Sequence, residues 1–294
     1  MRADTTNLKL ALVAAIAVLA SGSTAFAQGD ATWDGGGSPQ LRGAQGYPTA
    51  YVQRPLTIGA RRIHVNGFLH VFRPFDGADP ASGFNIGGSF GITDDLEVGV
   101  SAERMGTDRG RWILGSLFRG AFPLQFTQDF DYGDIPLFAR FRLIDGDLEL
   151  ALEASVLIPT QTDFGFAFGV PIRVHLGDAL SLDTGAELAV WFVDVSPGVD
   201  ETQVNLEVPA RFALQFTEEL YLGLNTGFRT IDFDLHSIPF GIEVGFTIMA
   251  GSVPLDLVGA FQWPDFLFFG EGVDDNLRQD RFLVTFGVRA FIDV

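Results

Sequence analysis

The four histidines are the first residues to test for catalysis or metal binding, because imidazole acts as an acid, a base or a ligand near neutral pH. His64, His70, His175 and His236 stand apart in the sequence, and none has metal-ligand spacing to another histidine. The chain has no cysteine, which excludes zinc–thiolate and iron–sulfur sites. Its glycines follow neither the phosphate-loop nor the dinucleotide pattern. The sequence therefore predicts no enzyme, no metal site and no cofactor.

A second set of reactive groups consists of charged residues and histidines that alternate with apolar residues along the chain. A period of two is typical of β-strands and places the polar set on one face. Because both signs occur in comparable number, such a face either orients a polar or zwitterionic solute in a lumen or forms ion pairs across strands that fill it. The members of the set are Arg62, His64, Glu97, Glu103, Arg140, Arg142, Glu149, Glu153, Arg173, His175, Asp183, Glu187, Glu207, Arg211, Arg229, Glu243, Asp256 and Arg289.

Residues 135–158 indicate how this set is positioned. Asp145 and Gly146 form the dipeptide favoured in a two-residue type I′ turn, because both central residues need positive φ. Folding the segment about this turn gives one wholly apolar face and pairs Arg142 with Glu149 on the other. The segment predicts an antiparallel hairpin with one apolar and one charged face.

The same alternation occurs in twelve runs from Arg61 to the end of the chain. Most runs approach the roughly 9–11 residues that a tilted strand needs to cross a bilayer, whereas strands of soluble sandwiches have about 5–6. Short connections such as Thr93-Asp94 alternate with mostly longer ones such as 104–134, 193–202 and 264–280. The predicted runs are 62–72, 83–92, 95–103, the two halves of 135–158, 166–176, 180–192, 203–216, 220–230, 238–248, 255–263 and 281–294.

The predicted fold is therefore all-β: a transmembrane, antiparallel up-and-down β-barrel of about twelve strands, with short periplasmic turns and longer extracellular loops. A closed barrel leaves no unpaired strand edge in lipid. The alternatives are a soluble β-sandwich, which has no reason to alternate short and long connections, and a lipocalin-type barrel, which is much shorter.

The first 27 residues are typical of a secretory signal peptide. Arg2 and Lys9 lie before an apolar run that is too short to span a membrane. Ala25-Phe26-Ala27 matches a small-residue cleavage site. The mature chain is expected to begin at Gln28. Residues 28–60 are rich in glycine, proline and polar residues without a period, which predicts a flexible periplasmic lead-in or a plug.

Residues 61–294 form the predicted barrel, and the expected location is the outer membrane of a Gram-negative cell. The net charge of −18 and the lack of a basic stripe exclude nucleic acid as a partner. The expected partners are outer-membrane lipid, lipopolysaccharide, the barrel assembly machinery and an unidentified small solute.

Two long connections offer contacts to a solute. The 104–134 connection contains Arg111, Trp112 and Arg119, the candidate loop contacts, and it could fold inward to constrict the lumen. The 264–280 connection contains Phe266-Leu267-Phe268-Phe269, which we interpret as a strand extension into the aromatic belt at the membrane interface.

Two segments resemble parts of a known protein group. GITDDLEVGV at 91–100 and YGDIPLFARFRL at 132–143 are similar to segments of bacterial outer-membrane barrels of the transporter type, including those associated with phenol degradation. This resemblance implies an outer-membrane location more than a substrate.

The sequence leads to three hypotheses for function. The first is a passive channel or uptake protein for small solutes, and the second is a closed structural or anchoring barrel with a salt-bridged lumen. The third is an outer-membrane hydrolase, which requires a Ser–His–acid arrangement. His70 and His175 have carboxylates on neighbouring predicted strands, but no serine follows a recognisable pattern.

Overall fold

The structure is a computed structural model that describes residues 47–73, 80–100, 124–126, 135–158, 164–196, 199–270, 277, 279 and 281–294. These residues all belong to the compact unit Ser38–Val294. The strands are β1 Arg62–Arg73, β2 Ala81–Gly91, β3 Leu96–Val100, β4 Leu124–Phe126, β5 Ile135–Ile144, β6 Leu148–Ile158, β7 Gly165–His175, β8 Leu180–Ser196, β9 Val199–Gln215, β10 Leu220–Ile231, β11 Leu235–Ala250, β12 Val253–Gly270 and β13 Phe282–Asp293. A 3₁₀ turn, Tyr51–Gln53, precedes them.

These strands form one closed antiparallel sheet. Strands that follow each other pair from β5 to β13, and β1 pairs with both β13 and β2, which closes the ring. β3 and β4 share one position beside β2, because Val100 pairs with Gly88 and Leu124 pairs with Ile86. The barrel therefore has twelve strand positions, and the predicted all-β antiparallel barrel is confirmed.

The two faces of the barrel have opposite polarity. Large apolar side chains on the outer face are exposed, among them Leu69 at 53%, Phe168 at 59% and Phe286 at 60%. Charged side chains on the inner face are buried, among them Glu97 and Asp183 at 0%. A protein folded in water would invert this arrangement, whereas hydrocarbon around the barrel makes it favourable.

The two ends of the barrel differ in their connections. The short connections 92–95, 145–147, 176–179, 216–219 and 251–252 lie at the end where β1 begins and β13 ends. At that end the Val294 N–H donates to the carbonyl oxygen of Arg61 over 2.9 Å. We call this the turn end, and we call the opposite end the loop end. Among the described residues, no helix has the length and apolar character needed to span a bilayer.

The predicted register of the β5–β6 hairpin is wrong by two residues. Three residues, 145–147, connect the strands, and a bulge follows Arg142, so Arg140 pairs directly with Glu153. Gly146 has a φ of 124°, but Asp145 is not among the residues with positive φ, so the turn is not type I′. Because the shift is even, each side chain keeps its predicted face.

Several strands extend further at the loop end than the alternation predicted. β8 and β9 reach Ser196 and Val199 and occupy most of the predicted 193–202 connection, and β12 continues to Gly270. The expected strand extension at 266–269 is thus observed. Asp232 and Phe233, with φ of 51° and 61°, join β10 to β11 in the left-handed conformation of a type I′ turn.

Candidate functional site: the lumen and the segment inside it

Residues 47–60, which we call the inserted segment, lie inside the barrel at the turn end. The segment contacts inner-face residues of strands around the whole ring, from β3 to β13. Its residues Val52, Thr57 and Ile58 are each 0% exposed, and Leu56 is 2% exposed. A stretch without strand periodicity therefore occupies the half of the lumen next to the turns, which we call the turn half.

Arg54 anchors the inserted segment to the barrel wall. Its guanidinium forms a bidentate ion pair with Asp256 on β12, in which Nη2 lies 2.8 Å from Oδ1. The Thr247 hydroxyl donates to the same carboxylate over 2.9 Å. Burial opposes the charge on Arg54, but the Asp256 carboxylate outweighs it and holds the pKa of the guanidinium above its ordinary value. The guanidinium therefore keeps its charge inside the barrel.

Tyr51 forms the second anchor of the segment. Its hydroxyl accepts hydrogen bonds from Arg211 Nη1 at 2.7 Å and Arg173 Nη2 at 3.1 Å, and it donates to Asp183 at 3.3 Å. Its ring stacks on Tyr221 with 4.4 Å between centroids. Burial raises the pKa of Tyr51 above its ordinary value, so the phenol keeps its proton and can donate to the carboxylate.

Tyr47, the first described residue of the segment, forms an aromatic contact with the wall. Its ring stacks on Phe291 with centroids 4.3 Å apart, and the Arg62 guanidinium lies 4.8 Å from the centre of the Tyr47 ring. His64 stacks on Phe291 at 4.8 Å. The ring of Phe291 therefore packs between a segment residue and a wall residue.

The wall also binds the backbone of the segment, at every second residue from Val52 to Ala60. Carboxylates and a side-chain amide accept its N–H groups, and arginines and a histidine contact its carbonyl oxygens. These contacts are Val52 N to Gln215 (3.3 Å), Val52 O to His175 (2.7 Å), Arg54 O to Arg173, Leu56 N to Glu149 (2.8 Å), Leu56 O to Arg140 (3.0 Å), Ile58 N to Glu97 (3.2 Å), Ile58 O to Arg62 (2.8 Å) and Ala60 N to Asp94 (3.0 Å).

These backbone contacts give a physical reason for the two signs of charge on the wall. The segment contains one 3₁₀ turn, Tyr51–Gln53, and otherwise runs without a strand partner, so no sheet ladder satisfies its amide groups. Buried backbone groups need partners elsewhere. A carboxylate only accepts and a guanidinium only donates, so a wall with both can bind N–H and C=O alike. This role is additional to solute orientation and cross-strand pairing.

Several wall residues form ion pairs with each other as well. Most of these pairs join neighbouring strands and have both members buried. They are Arg140–Glu153 (2.5 Å), Arg173–Asp183 (2.5 Å), Arg211–Glu243 (2.5 Å) and Arg281–Asp265 (2.6 Å). The first two pairs also hold the segment, since Arg140 and Arg173 each donate to one of its carbonyl oxygens.

The inner face toward the loop end, which we call the loop half, has a different composition. Glu187 and Glu207 lie directly opposite each other on β8 and β9, and Arg229 lies 3.8 Å from Glu207. Apolar side chains, including Phe68 and Leu283, are buried on the far side of the ring. Among the described residues, the contacts of residues 47–60 lie in the turn half and not with these side chains.

A small cavity of about 10 Å³ borders the inserted segment. Arg54 of the segment and Arg140, Arg173 and Arg289 of the wall line it, together with Tyr47. A space of this size holds about one water molecule, so the segment packs closely against the wall here.

The described members of the predicted charged set all lie on the inner face with buried side chains. Those in the turn half contact the inserted segment or a residue that does. The described members are Arg62, His64, Glu97, Arg140, Arg142, Glu149, Glu153, Arg173, His175, Asp183, Glu187, Glu207, Arg211, Arg229, Glu243, Asp256 and Arg289. Glu103, Arg111, Trp112 and Arg119 fall outside the described residues, and only 124–126 of the 104–134 connection are described.

Sequence reasoning missed the residues of the segment that contact the wall. Tyr51, Arg54, Leu56 and Ile58 belong to a stretch that the sequence predicts only as a whole, as a lead-in or plug. One signal was available in the sequence, because two of the chain's four tyrosines, Tyr47 and Tyr51, lie close together in this stretch. In the described part of the chain, no group of three or more histidines and acids could hold a metal ion.

Comparisons with known proteins support the fold. No protein-family model matches the chain, and no curated protein matches its sequence. The NanC porin is similar in structure with a TM-score of 0.50 and 10% identity, over 77% of this chain and 98% of that one. An outer membrane channel from Pseudomonas putida F1 has a TM-score of 0.46 and 13% identity, over 80% of this chain and 96% of that one.

An anion-selective porin from Comamonas acidovorans has a TM-score of 0.38 and 10% identity, over 79% of this chain and 98% of that one. At these identities the likeness extends to the barrel fold alone. The resemblance to barrels associated with phenol degradation has no family match to support it, so that part of the sequence interpretation stays a prediction.

Proposed function

We propose that this protein is an outer-membrane channel for small solutes whose lumen is closed at the turn end by residues 47–60. The observation that carries the proposal is the position of this segment. It precedes the first strand, it lies inside the barrel, and polar contacts with the wall hold it there. A segment outside the sheet can leave without breaking any strand pairing.

The outer-membrane location is supported by the polarity of the two faces. An apolar band of exposed side chains encircles a polar interior, and this arrangement is stable only where hydrocarbon surrounds the barrel. The signal peptide expected over residues 1–27 would deliver the chain to the same compartment. Lipid and lipopolysaccharide would then contact the outer face.

Single-channel recording in planar bilayers tests the proposal. The full chain should give small or rare openings, because the segment obstructs the lumen. The full-length double variant Tyr51→Ala/Arg54→Ala loses both anchors, and it should give larger and longer openings. A folded double variant that passes no current would overturn the channel proposal.

A closed structural barrel is the second candidate, and the buried ion pairs of the wall favour it. Arg211–Glu243 and Arg281–Asp265 fill the interior with paired side chains, as expected for a lumen that never opens. This candidate predicts silence in bilayers from both the full chain and the double variant. The same recording therefore separates the two candidates.

A hydrolase is the third candidate, and the surroundings of His175 bear on it. Nε2 of this imidazole lies 2.8 Å from Glu149, as in an acid–histidine pair. Its Nδ1, however, lies 2.7 Å from the carbonyl oxygen of Val52 instead of a serine hydroxyl. The ring thus binds the segment, and a hydrolase assay of a Ser181→Ala variant would test the remaining possibility, since Ser181 pairs with His175 across the strands.

A further inference from the structure

We infer that the turn half of the lumen is a peptide-binding site and that short peptides containing an arginine are a solute class of this channel. The inference rests on the proposed channel function and adds the chemistry of the solute. The inserted segment is then the resident occupant of a site that also accepts a peptide supplied from outside.

The first argument concerns the backbone contacts. The wall binds N–H and C=O groups at alternate residues, with Glu149 and Arg140 on either side of Leu56. Glu97 and Arg62 repeat the arrangement two residues later. Repeating amide donors and acceptors at this spacing are a property of peptides, whereas a sugar or an aromatic acid has no such repeat. These contacts depend on the peptide bond and not on the side chains of Leu56 and Ile58.

The second argument concerns specificity. Asp256 is buried, and the Arg54 guanidinium meets it with two nitrogens. Bidentate pairing with a carboxylate is the geometry of arginine, and lysine or glutamine cannot reproduce it. The site therefore selects a peptide with an arginine, and the stacking surface of Tyr221 favours an aromatic residue three positions earlier, as Tyr51 is to Arg54.

The third argument concerns access. The cavity beside the segment is lined by Arg140 and Arg173, which are the same residues that bind the segment's carbonyl oxygens. Residues of the segment, among them Tyr51 and Arg54, line the same cavity. Because the segment lies outside the sheet, its departure would expose Arg140 and Arg173 to a competing peptide without breaking any strand pairing.

The test uses the full-length double variant Tyr51→Ala/Arg54→Ala and a fluorescent acetyl-YVQRPLTI-amide peptide, which corresponds to residues 51–58. Fluorescence anisotropy measures binding in detergent, and single-channel recording measures block. A peptide with glutamine in place of arginine should bind about 100-fold more weakly, because it leaves Asp256 buried without its partner. A peptide with ester bonds in place of the amides that face Glu149 and Glu97 should bind about tenfold more weakly or worse.

A matched pair of wall substitutions locates the site. Glu149→Ala in the double variant should weaken the peptide about tenfold, whereas Asp265→Asn in the loop half should leave its affinity unchanged. Equal affinity for the native, glutamine and ester peptides, or an equal effect of both wall substitutions, would overturn the inference. A double variant that conducts but neither binds the peptide nor is blocked by it would also overturn the inference. That result would leave the channel proposal standing.

A second measurement covers the case in which the double variant does not fold. The chain has no cysteine, so Val52→Cys places a single thiol on the buried segment. An excess of the native peptide should accelerate maleimide labelling of this thiol, because it displaces the segment, and the glutamine peptide should not. Labelling that the native peptide leaves unchanged would count against the inference.

Discussion

In the turn half of the lumen, Glu149 and Arg140 contact the backbone of the inserted segment, whereas in the loop half Asp265 and Arg281 contact each other. Both halves have the same residue types on the same face of the sheet. In one half the charges bind a part of the chain from outside the sheet, and in the other they complete the wall. The alternating pattern therefore fixes where a charge points but not what it binds.

The comparison also explains why the two halves tolerate loss of a charge differently. A carboxylate removed from the turn half leaves a buried segment group without a partner, and an unpaired buried charge is expensive. In the loop half, Glu187 already lies opposite another carboxylate, Glu207. Four substitutions, in order of decreasing expected effect, test this difference.

Asp256→Asn should have the largest effect, because it leaves the Arg54 guanidinium buried without a carboxylate. We expect the segment to lose about 3–5 kcal/mol of binding free energy. Maleimide labelling of the Val52→Cys thiol should then accelerate at least about 100-fold. Asp265→Asn is the matched control, since it breaks a buried aspartate–arginine pair in the loop half; equal acceleration in both variants would mean that the two halves do not differ.

Tyr51→Phe should have the next largest effect, because it removes a hydroxyl that binds two arginines and Asp183 while it keeps the ring. Hydrogen bonds to charged groups are worth about 1.5–3 kcal/mol, and the labelling rate of the Val52→Cys thiol should rise accordingly. Thr226→Val removes a hydroxyl that donates to the carbonyl oxygen of Pro239 on β11, and it should not affect labelling. A Tyr51→Phe chain that labels like its parent would contradict the anchor role.

Gly245→Ala should disturb the segment through a residue that the segment stacks on. A Cβ atom at position 245 would lie 2.1 Å from the ring of Tyr221, so that ring must leave its present position, in which it stacks on Tyr51. Overpacking of this kind costs about 1–3 kcal/mol. Gly259→Ala is the control, because its Cβ atom would lie 3.7 Å from Phe286 in ordinary contact. Thermal unfolding in detergent measures both variants, and equal shifts would refute the packing argument.

Glu187→Gln should have the smallest effect and the opposite sign. It removes one of two carboxylates that face each other across β8 and β9, and like charges in this position destabilise a sheet by up to about 1 kcal/mol. Denaturant unfolding should show a small gain in stability, while labelling of the thiol introduced at position 52 stays unchanged. A loss of stability would show that Glu187 contributes more to the wall than it costs beside Glu207.

Much of the barrel was predictable from the sequence, because the period of two determines which face a side chain occupies. All twelve predicted runs contain strands, and the predicted inner face is buried where it is described. The hairpin register was not predictable from Asp145-Gly146, since a bulge after Arg142 depends on packing with neighbouring strands. Even so, a shift of two residues left the faces unchanged.

The inserted segment was not predictable in detail, because its partners are far away in the sequence. Arg54 and Asp256 are separated by 202 residues, and no local pattern links them. Glycine and proline around the segment indicate irregular structure, which is equally typical of a tether in solvent. Only the contacts with wall residues, which the fold brings together around the segment, distinguish a bound segment from a flexible lead-in.

The separation between the segment and its partners has a consequence for biogenesis. Residues 47–60 precede every described strand in the chain, yet Asp256 and Phe291, which they bind, belong to the last two strands. Their docking site does not exist until β13 has paired with β1. The first and last strands therefore have to pair first, and residues 47–60, which precede both of them, take up their final place afterwards.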